Sequence, residues 1–598
     1  MFRLRKSRGM RLFALLPIIP FVLQGCNGSD QAAAPAATSP SLATTTPIKH
    51  LIVIIGENHS FDNVFGVYNP VPGQTIDNLL SKGIVTSSGT PGANYALAAQ
   101  QQASVTATYS LAPTQTGPYA TLPQPNTTYA FYQTPDIPDP RFPANLPNGP
   151  FQISQYVPYD NGYTGDPVHR FFQMWQQYDQ GKMDLFTWVA TTVGIGPNNL
   201  PAVTPATTYQ GGLAMGFNNM VLGDAPKFRF MADNYAISDN YHQAIMGGTG
   251  ANFFAIGSAA DVAYYNDGNG NPVAPPANQV ENPNPQAGTN NFYTQDGYKG
   301  GSYVGCADNT QPGVSQITAY LNSLAYKPFN NGNCAANTYY LVNNYNPGYT
   351  PAGMPATLGA NVYTTPPQTV PMLADSLSAK GVTWKWYSGG WNNGNPTSEY
   401  CGICDPFVFS KSVMTTSLRS NLQDVPQFYQ DVANNTLPAV SFVRPYESQA
   451  GHPADSTLSA YEKFVTTLID TVKSNPTLWA STAIVITTDE GGGYYDHGYI
   501  QPIDFFGDGT RIPLILISPY AKAGYVDHNY QDHASIAKFI EANWGLKPLS
   551  ARSRDNLPNP TPTAANPYIP ANAPAIGDLM TLFDFTHFRS DAPAIPIP

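Results

Sequence analysis

The run Ile48-Lys49-His50-Leu51-Ile52-Val53-Ile54-Ile55 leads directly into Gly56-Glu57-Asn58-His59-Ser60-Phe61-Asp62. Its unbroken apolar half leaves no polar face, the pattern of a strand covered on both sides. Leu437–Val443, Ala483–Thr488 and Ile512–Ser518 share that texture. Helical periodicity falls between them, at about Thr369–Ala379, Ser459–Ser474 and His533–Asn543. Strands alternating with helices predict an α/β fold: a mostly parallel central sheet with helices on both faces.

Hydrophobic residues make up 42% of the 598, enough to bury a large core and to exclude general disorder. Charged residues reach only 11%, where about 25% is usual, so any clustering of acids stands out. A net charge of −11 and a pI near 5.2 argue against a nucleic-acid partner. The excess Pro and Gly lies mainly in two stretches without sustained periodicity, 69–150 and 260–365. They read as long loop insertions, the first a candidate lid, in one catalytic domain over 47–550, with 551–598 as a C-terminal extension.

Arg3, Arg5, Lys6, Arg8 and Arg11 precede an apolar stretch, Leu12–Leu23, too short to span a bilayer but suited to a signal peptide over 1–26. Leu23-Gln24-Gly25-Cys26 resembles a bacterial lipobox, with Gln24 an unusual occupant. It predicts Cys26 as the lipid-bearing first residue of a lipoprotein; an ordinary cleaved signal is the alternative. Residues 27–46 read as a flexible tether. The chain is therefore expected to be exported: periplasmic, lipid-anchored at the outer membrane or cell surface, or secreted. Losing the basic leader leaves a still more acidic protein, so membrane contact is expected only through the anchor. Four cysteines remain, and proximity predicts disulfides Cys306–Cys334 and Cys401–Cys404. A four-cysteine zinc site is poorly supported by a single C-x-x-C.

In open α/β sheets ligands bind beyond the carboxyl ends of the strands. Glu57 and Asn58 follow the first strand; Arg444, Glu447 and His452 follow the 437–443 run; Asp489-Glu490-Gly491-Gly492-Gly493 through Asp496-His497 follow the 483–488 run. Any one cluster alone is a helix cap or a loop carboxylate; three in so weakly charged a chain point to a site. Adjacent acids repel unless a cation lies between them or one stays protonated, and the three glycines allow the backbone to fold closely around that point. An all-oxygen set favours one hard divalent cation, Mg, Ca or Mn, with Zn or Fe left open. Gly247-Gly248-Thr249-Gly250 opens an apolar helical stretch. Local sequence favours Thr249 as a simple N-cap, although a hydroxyl there can also serve as a nucleophile near a cation. No G-x-S-x-G, Walker loop or H-E-x-x-H occurs.

Glu57-Asn58-x-Ser60-Phe61-Asp62-x-x-Phe65-Gly66 resembles the opening signature of bacterial phosphoesterases that include non-haemolytic-type phospholipases C and the acid phosphatase A group. Asp166-x-x-His169 with Gly181-Lys182-Met183-Asp184, Gly247-Gly248-Thr249 with Asn252, Glu447 to His452-Pro453, Asp489 to His497, and Arg511 to Asp532-His533 continue the match in order from about 48 to 546. The resemblance implies an alkaline-phosphatase-like fold and a metal held by Glu57, Asn58, Asp489 and Glu490. It implies Thr249 as metal-bound nucleophile, Asn252 as a substrate contact, and His169 and His452, with His497 behind them, contacting or protonating phosphoryl and leaving-group oxygens. Phosphatase-branch members carry a histidine pair before Pro-Phe; here Ile403-Cys404-Asp405 precedes Pro406-Phe407, and the Cys401–Cys404 bridge would staple that loop.

The expected activity is metal-dependent hydrolysis of phosphomonoesters by an acid phosphatase through a phosphothreonine intermediate. Phospholipase C is the alternative; the short stretch after Leu546 and the absence of a twin-arginine signal favour the phosphatase. A non-catalytic adhesin or carbohydrate-binding lipoprotein is a distant third, suggested by the Tyr/Asn-rich insertions. Of the other histidines, His533 is expected to cap a helix and His50 to pack in the core.

Overall fold

Strand β1, His50–Gly56, is buried from Leu51 to its end and stands inside an eight-stranded sheet. The computed structural model describes residues 43–125, 138–192, 211–284 and 300–590. The signal, Cys26, most of the tether and the tail at Ala594–Pro598 lie outside them. The other sheet strands are β2 (Ala236–Ser238), β3 (Trp384–Ser388), β4 (Leu422–Asp424), β5 (Val440–Arg444), β6 (Thr482–Thr488), β7 (Leu514–Ile517) and β8 (Tyr525–Asp527).

Across the sheet they run β4-β3-β5-β1-β6-β7-β2-β8. From β4 to β6 every neighbour is parallel; β7 is antiparallel to both β6 and β2, and β8 is parallel to β2. The sheet is thus mostly parallel, as the strand–helix alternation predicts, with one strand reversed. A parallel neighbour needs a crossover back to the starting edge, usually a helix. No helix lies between β6 and β7, so the loop after Thr488 stays at one edge and the chain returns antiparallel.

The three helices expected from periodicity form at Leu373–Lys380, Leu458–Lys473 and Ala534–Trp544. Helices cover both faces. On one, Trp384 and Trp386 of β3 pack against Phe407, and Trp386 meets Phe253 of helix Thr249–Ser258. On the other, the next residue, Tyr387, meets Phe428 of helix Val425–Ala433 at 5.3 Å. The period-2 alternation of a strand thereby places two aromatic layers on opposite sides.

Within the 69–150 stretch, Tyr109, Leu111, Leu122, Phe142 and Leu146 are buried in the main core. The Tyr109 hydroxyl donates to the Phe172 carbonyl at 2.8 Å. Those residues are part of the packed body. Both expected disulfides are formed, Cys306–Cys334 and Cys401–Cys404, with Cα–Cα separations of 5.5 and 5.3 Å.

Candidate active site

Register carries the proposed residues to one edge. Gly56 of β1 pairs with Thr488 of β6, and Ile54 with Val443 of β5. Three adjacent parallel strands therefore end together, and Glu57, Arg444 and Asp489 leave the sheet side by side. The chain turns sharply there: Asn58 adopts φ 60°, and Gly492, at φ 59°, lies so close that an added Cβ would stand 2.6 Å from the Asn58 Cβ. Only glycine fits that approach. Glu57, Asn58, Asp489 and Glu490 are each at most 3% exposed.

Each of these groups is oriented. The Asn58 backbone N–H donates to Asp489 Oδ1 at 3.2 Å, and the Glu490 N–H to the same oxygen at 2.7 Å. The Asn58 side-chain amide donates to Asp166 Oδ1 at 3.1 Å, with His452 Nε2 also at 3.1 Å. That fixes Asn58 with Oδ1 buried and without a hydrogen-bond partner among the described residues; Asp489 Oδ2 is in the same condition. Glu57 Oε1 accepts from Arg444 Nε at 3.1 Å and also from Nη2, and the same Nη2 donates to Glu447 Oε2 at 2.6 Å. The Cys404 sulfur lies 3.1 Å from Glu57 Oε1, so the loop that lacks the phosphatase-branch histidine pair does press against the site.

Burial raises the Glu57 carboxyl, which Arg444 partly holds down; burial and then the charge of Glu57 push Asp489 well above the usual range. Asn58 Oδ1 and Asp489 Oδ2, two buried oxygens without hydrogen-bond partners among the described residues, are oxygen donors of the kind that a hard divalent cation takes. The residues fit such an ion. Tighter groupings occur elsewhere: Glu57 with Cys401 and Cys404, and Asp62 with Asp496 and His497, each within 4.8 Å. Neither suits the role. Disulfide sulfurs offer no thiolate, and Arg511 already neutralises the Asp62 group through Asp496 at 2.9 Å and Asp62 at 3.5 Å.

Thr249 is the first residue of helix Thr249–Ser258 and 2% exposed; the capping position belongs to Gly248. Its hydroxyl donates to Glu490 Oε1 at 3.1 Å, and with Gly248 at the cap this replaces the simple N-cap reading. His169 is fully buried, with Nδ1 2.7 Å from the Pro167 carbonyl and Nε2 3.8 Å from the same Glu490 oxygen. His452 Nε2 also lies 3.7 Å from Asp166 Oδ2. Thr249, Glu490 and His169 are thus drawn together, and His169 Nδ1, 3.8 Å from Asp166 Oδ1, joins them to Asn58, Asp166 and His452.

Two expected residues are placed differently. The Asn252 amide donates to the carbonyls of Ile245, Gly247 and Gly248 and accepts from the Ile245 N–H, so it braces the loop before Thr249. His497 has Nδ1 at 2.6 Å from Asp62 and Nε2 at 3.1 Å from Asp77, committing both nitrogens to carboxylates away from Thr249. His533 does not cap its helix with its side chain; its Nε2 sits 2.6 Å from the Asp489 carbonyl, behind the site. Sequence reading gave no role to Asp166 or Asn344. Asp166 had a signal in the Asp-x-x-His spacing. Asn344, whose Oδ1 accepts from Gly250 N–H at 2.7 Å, sits in an Asn-dense stretch with nothing to mark it.

The His497 pairing carries a pH signature. Burial would lower its pKa, but Asp62 and Asp77 raise it to about 9 from the ordinary 6.5. A raised value means the stabilisation is whole below pH 6.5 and fades as pH climbs through about 9. The melting-temperature gap between wild type and His497→Ala is expected to be widest near about pH 6 and to narrow towards about pH 10. A gap that widened with pH would contradict the pairing.

Residues 48–547 match the model of the Phosphoesterase family. Hemolytic phospholipase C of Pseudomonas aeruginosa is 28% identical over 255 residues, covering 35% of this chain and 32% of that protein. Phospholipase C B of Mycobacterium tuberculosis is 27% identical over 227 residues, 32% of this chain and 42% of that one. A probable acid phosphatase of Kluyveromyces lactis is 26% identical over 204 residues, 32% and 45% of the two chains. The chain thus spans less than half the length of these curated relatives. Among solved structures, an alkaline phosphatase superfamily protein from Vibrio parahaemolyticus aligns with 55% of this chain and 63% of its own, at 8% identity and a TM-score of 0.26, too slight a likeness to argue from.

Proposed function

We propose that this chain, which belongs to the Phosphoesterase family, hydrolyses phosphomonoesters with Thr249 as nucleophile. The observation that carries the reading is the Thr249 hydroxyl donating at 3.1 Å to Glu490, at the head of a ten-residue helix. A divalent cation held by Glu57, Asn58, Asp489 and Glu490 would stabilise negative charge on the attacking and phosphoryl oxygens.

The residues then divide the work. Thr249 Oγ1 bonds to phosphorus as its proton passes to Glu490 Oε1, while the ester oxygen leaves with a proton from His452. The positive end of the helix dipole favours the charge on the phosphoryl oxygens, while Asn344 holds the Gly250 N–H. Water next attacks the phosphothreonine, giving one proton to His452, which restores the one it donated; the phosphorus–threonine bond breaks, Thr249 Oγ1 takes its proton back from Glu490, and inorganic phosphate leaves. His169, held through Nδ1 by the Pro167 carbonyl, keeps Nε2 turned towards Glu490.

Asp166 acts through Asn58 and His452. Asp166→Asn is expected to weaken retention of the divalent ion by about 10–100-fold, read by elemental analysis after dialysis, with the fold retained. Unchanged retention would remove Asp166 from the support of the site.

Phospholipase C is the second reading, favoured by the Cys404-Asp405 replacement of the phosphatase-branch histidine pair and by the names of two relatives. The deciding experiment compares phosphate release from a soluble monoester with phosphocholine release from phosphatidylcholine. Faster monoester turnover supports the phosphatase; faster phosphocholine release replaces it. Export is part of the proposal, resting on the basic-then-apolar opening and Cys26. Among the described residues no helix is long and apolar enough to cross a membrane.

A further inference from the structure

Beside the far end of the Asp489–His497 loop lies a cavity of about 560 Å³, within the range of small-molecule sites. Its walls include Tyr178, Tyr320, Tyr326, Tyr499 and Tyr568, brought together from well-separated parts of the chain. These side chains are held in place. The Tyr178 and Tyr320 hydroxyls bond each other at 2.8 Å, Tyr326 donates to the Pro502 carbonyl at 3.0 Å, and Tyr568 to Asp239 at 3.0 Å. Trp175, Tyr178 and Tyr320 pack edge to face, with centroids about 6 Å apart. With their hydroxyls already engaged by the protein, what these rings offer a ligand is rigid, flat carbon surface.

The polar end of the cavity is charge-balanced. Asp77 stands between Lys82 Nζ at 2.7 Å and His497 Nε2 at 3.1 Å, and His497 is paired again with Asp62. A free cation would have to compete with Lys82 for the carboxylate, and a free anion with Asp77 for the ammonium. A neutral molecule with hydroxyls can hydrogen-bond to both while its C–H faces lie on the tyrosines. We propose that this cavity binds a neutral saccharide, a mono- or disaccharide, at a site separate from the phosphoester chemistry.

Saturation-transfer NMR on the full-length protein tests this, with a panel of unphosphorylated mono- and disaccharides as probes. Transfer to ring C–H protons of at least one member is expected, with affinity weakened about tenfold or more in Tyr326→Ala and in Tyr568→Ala. Turnover of a chromogenic phosphomonoester is expected to stay unchanged in both. Tyr326→Phe, which keeps the ring, should retain binding. As a readout free of substitutions, a photoactivatable derivative of the bound sugar should label peptides carrying Tyr320, Tyr326 or Tyr499. The proposal fails if no saccharide in the panel binds, if binding persists undiminished in both alanine variants, if labelling falls elsewhere, or if inorganic phosphate or phosphocholine displaces the sugar.

Discussion

Thr249→Ala is expected to lower turnover of p-nitrophenyl phosphate by about 10³-fold or more, because it removes the atom that forms the covalent intermediate. The substitution is a clean one. Thr249 is nearly buried at the first turn of its helix, its methyl group can be lost with little rearrangement, and alanine suits a helix. Its single hydrogen bond to Glu490 is worth about 1 kcal/mol, too little to unfold the chain. Thr249→Ser keeps the hydroxyl and should retain most activity. If Thr249→Ala folds normally and turns over within a few-fold of wild type, Thr249 is not the nucleophile.

The second large effect concerns stability. Arg554, in the C-terminal extension, is fully buried and grips Asp504 through Nη2 at 2.6 Å and Nε at 3.1 Å. Its Nη1 reaches Asp508 at 2.5 Å and Asp532 at 3.3 Å, and also the Ala244 carbonyl at 2.8 Å. All three carboxylates are themselves buried. Arg554→Ala would strand them, and removing one partner from such a cluster costs roughly 3–5 kcal/mol. Burial, and next the charge of Asp532, already press Asp508 well above the usual range; burial also raises Asp532.

Without Arg554 those acids would fold protonated more readily than they ionise. Groups with raised folded pKa values favour the fold at low pH and cease to as pH rises. The deficit of Arg554→Ala against wild type is therefore expected to be greatest at neutral pH and smaller near about pH 5, as read by denaturant unfolding. A loss under about 1 kcal/mol at neutral pH would mean that the cluster is not held by Arg554. The damage should reach the site as well, since Ala244 opens the loop before Thr249 and Asp532 precedes His533, which touches the Asp489 carbonyl.

The central strand was legible because Leu51–Ile55 offers no polar face, and the acids after it because charge is scarce in this chain. Strand ends of a parallel sheet converge, so reading three runs as parallel neighbours placed Glu57, Arg444 and Asp489 together before any distance was known. The reversal of β7 was not legible: Ile512–Ser518 has the same apolar texture as the parallel strands, and only the missing crossover helix decides direction. Three-residue strands such as β2, β4 and β8 are too short to show a period.

Side-chain commitments were the least legible. The partners of His497, Asp62 and Asp77, come from more than four hundred residues earlier, and the Asn252 amide is consumed by a loop whose shape no pattern announces. Asp166 contacts residues far on either side of it in the chain, Asn58 and His452. Such networks depend on where separate loops meet, which hydrophobic periodicity does not encode.

The most direct measurement is acid quenching of the enzyme during turnover of a phosphomonoester, followed by peptide mapping. The expected result is a single phosphoryl group on the peptide containing Gly247-Gly248-Thr249-Gly250, assigned to Thr249 and absent from Thr249→Ala. Steady turnover with no phosphoryl group on Thr249 at any quench time, or one on a different residue, would contradict the account.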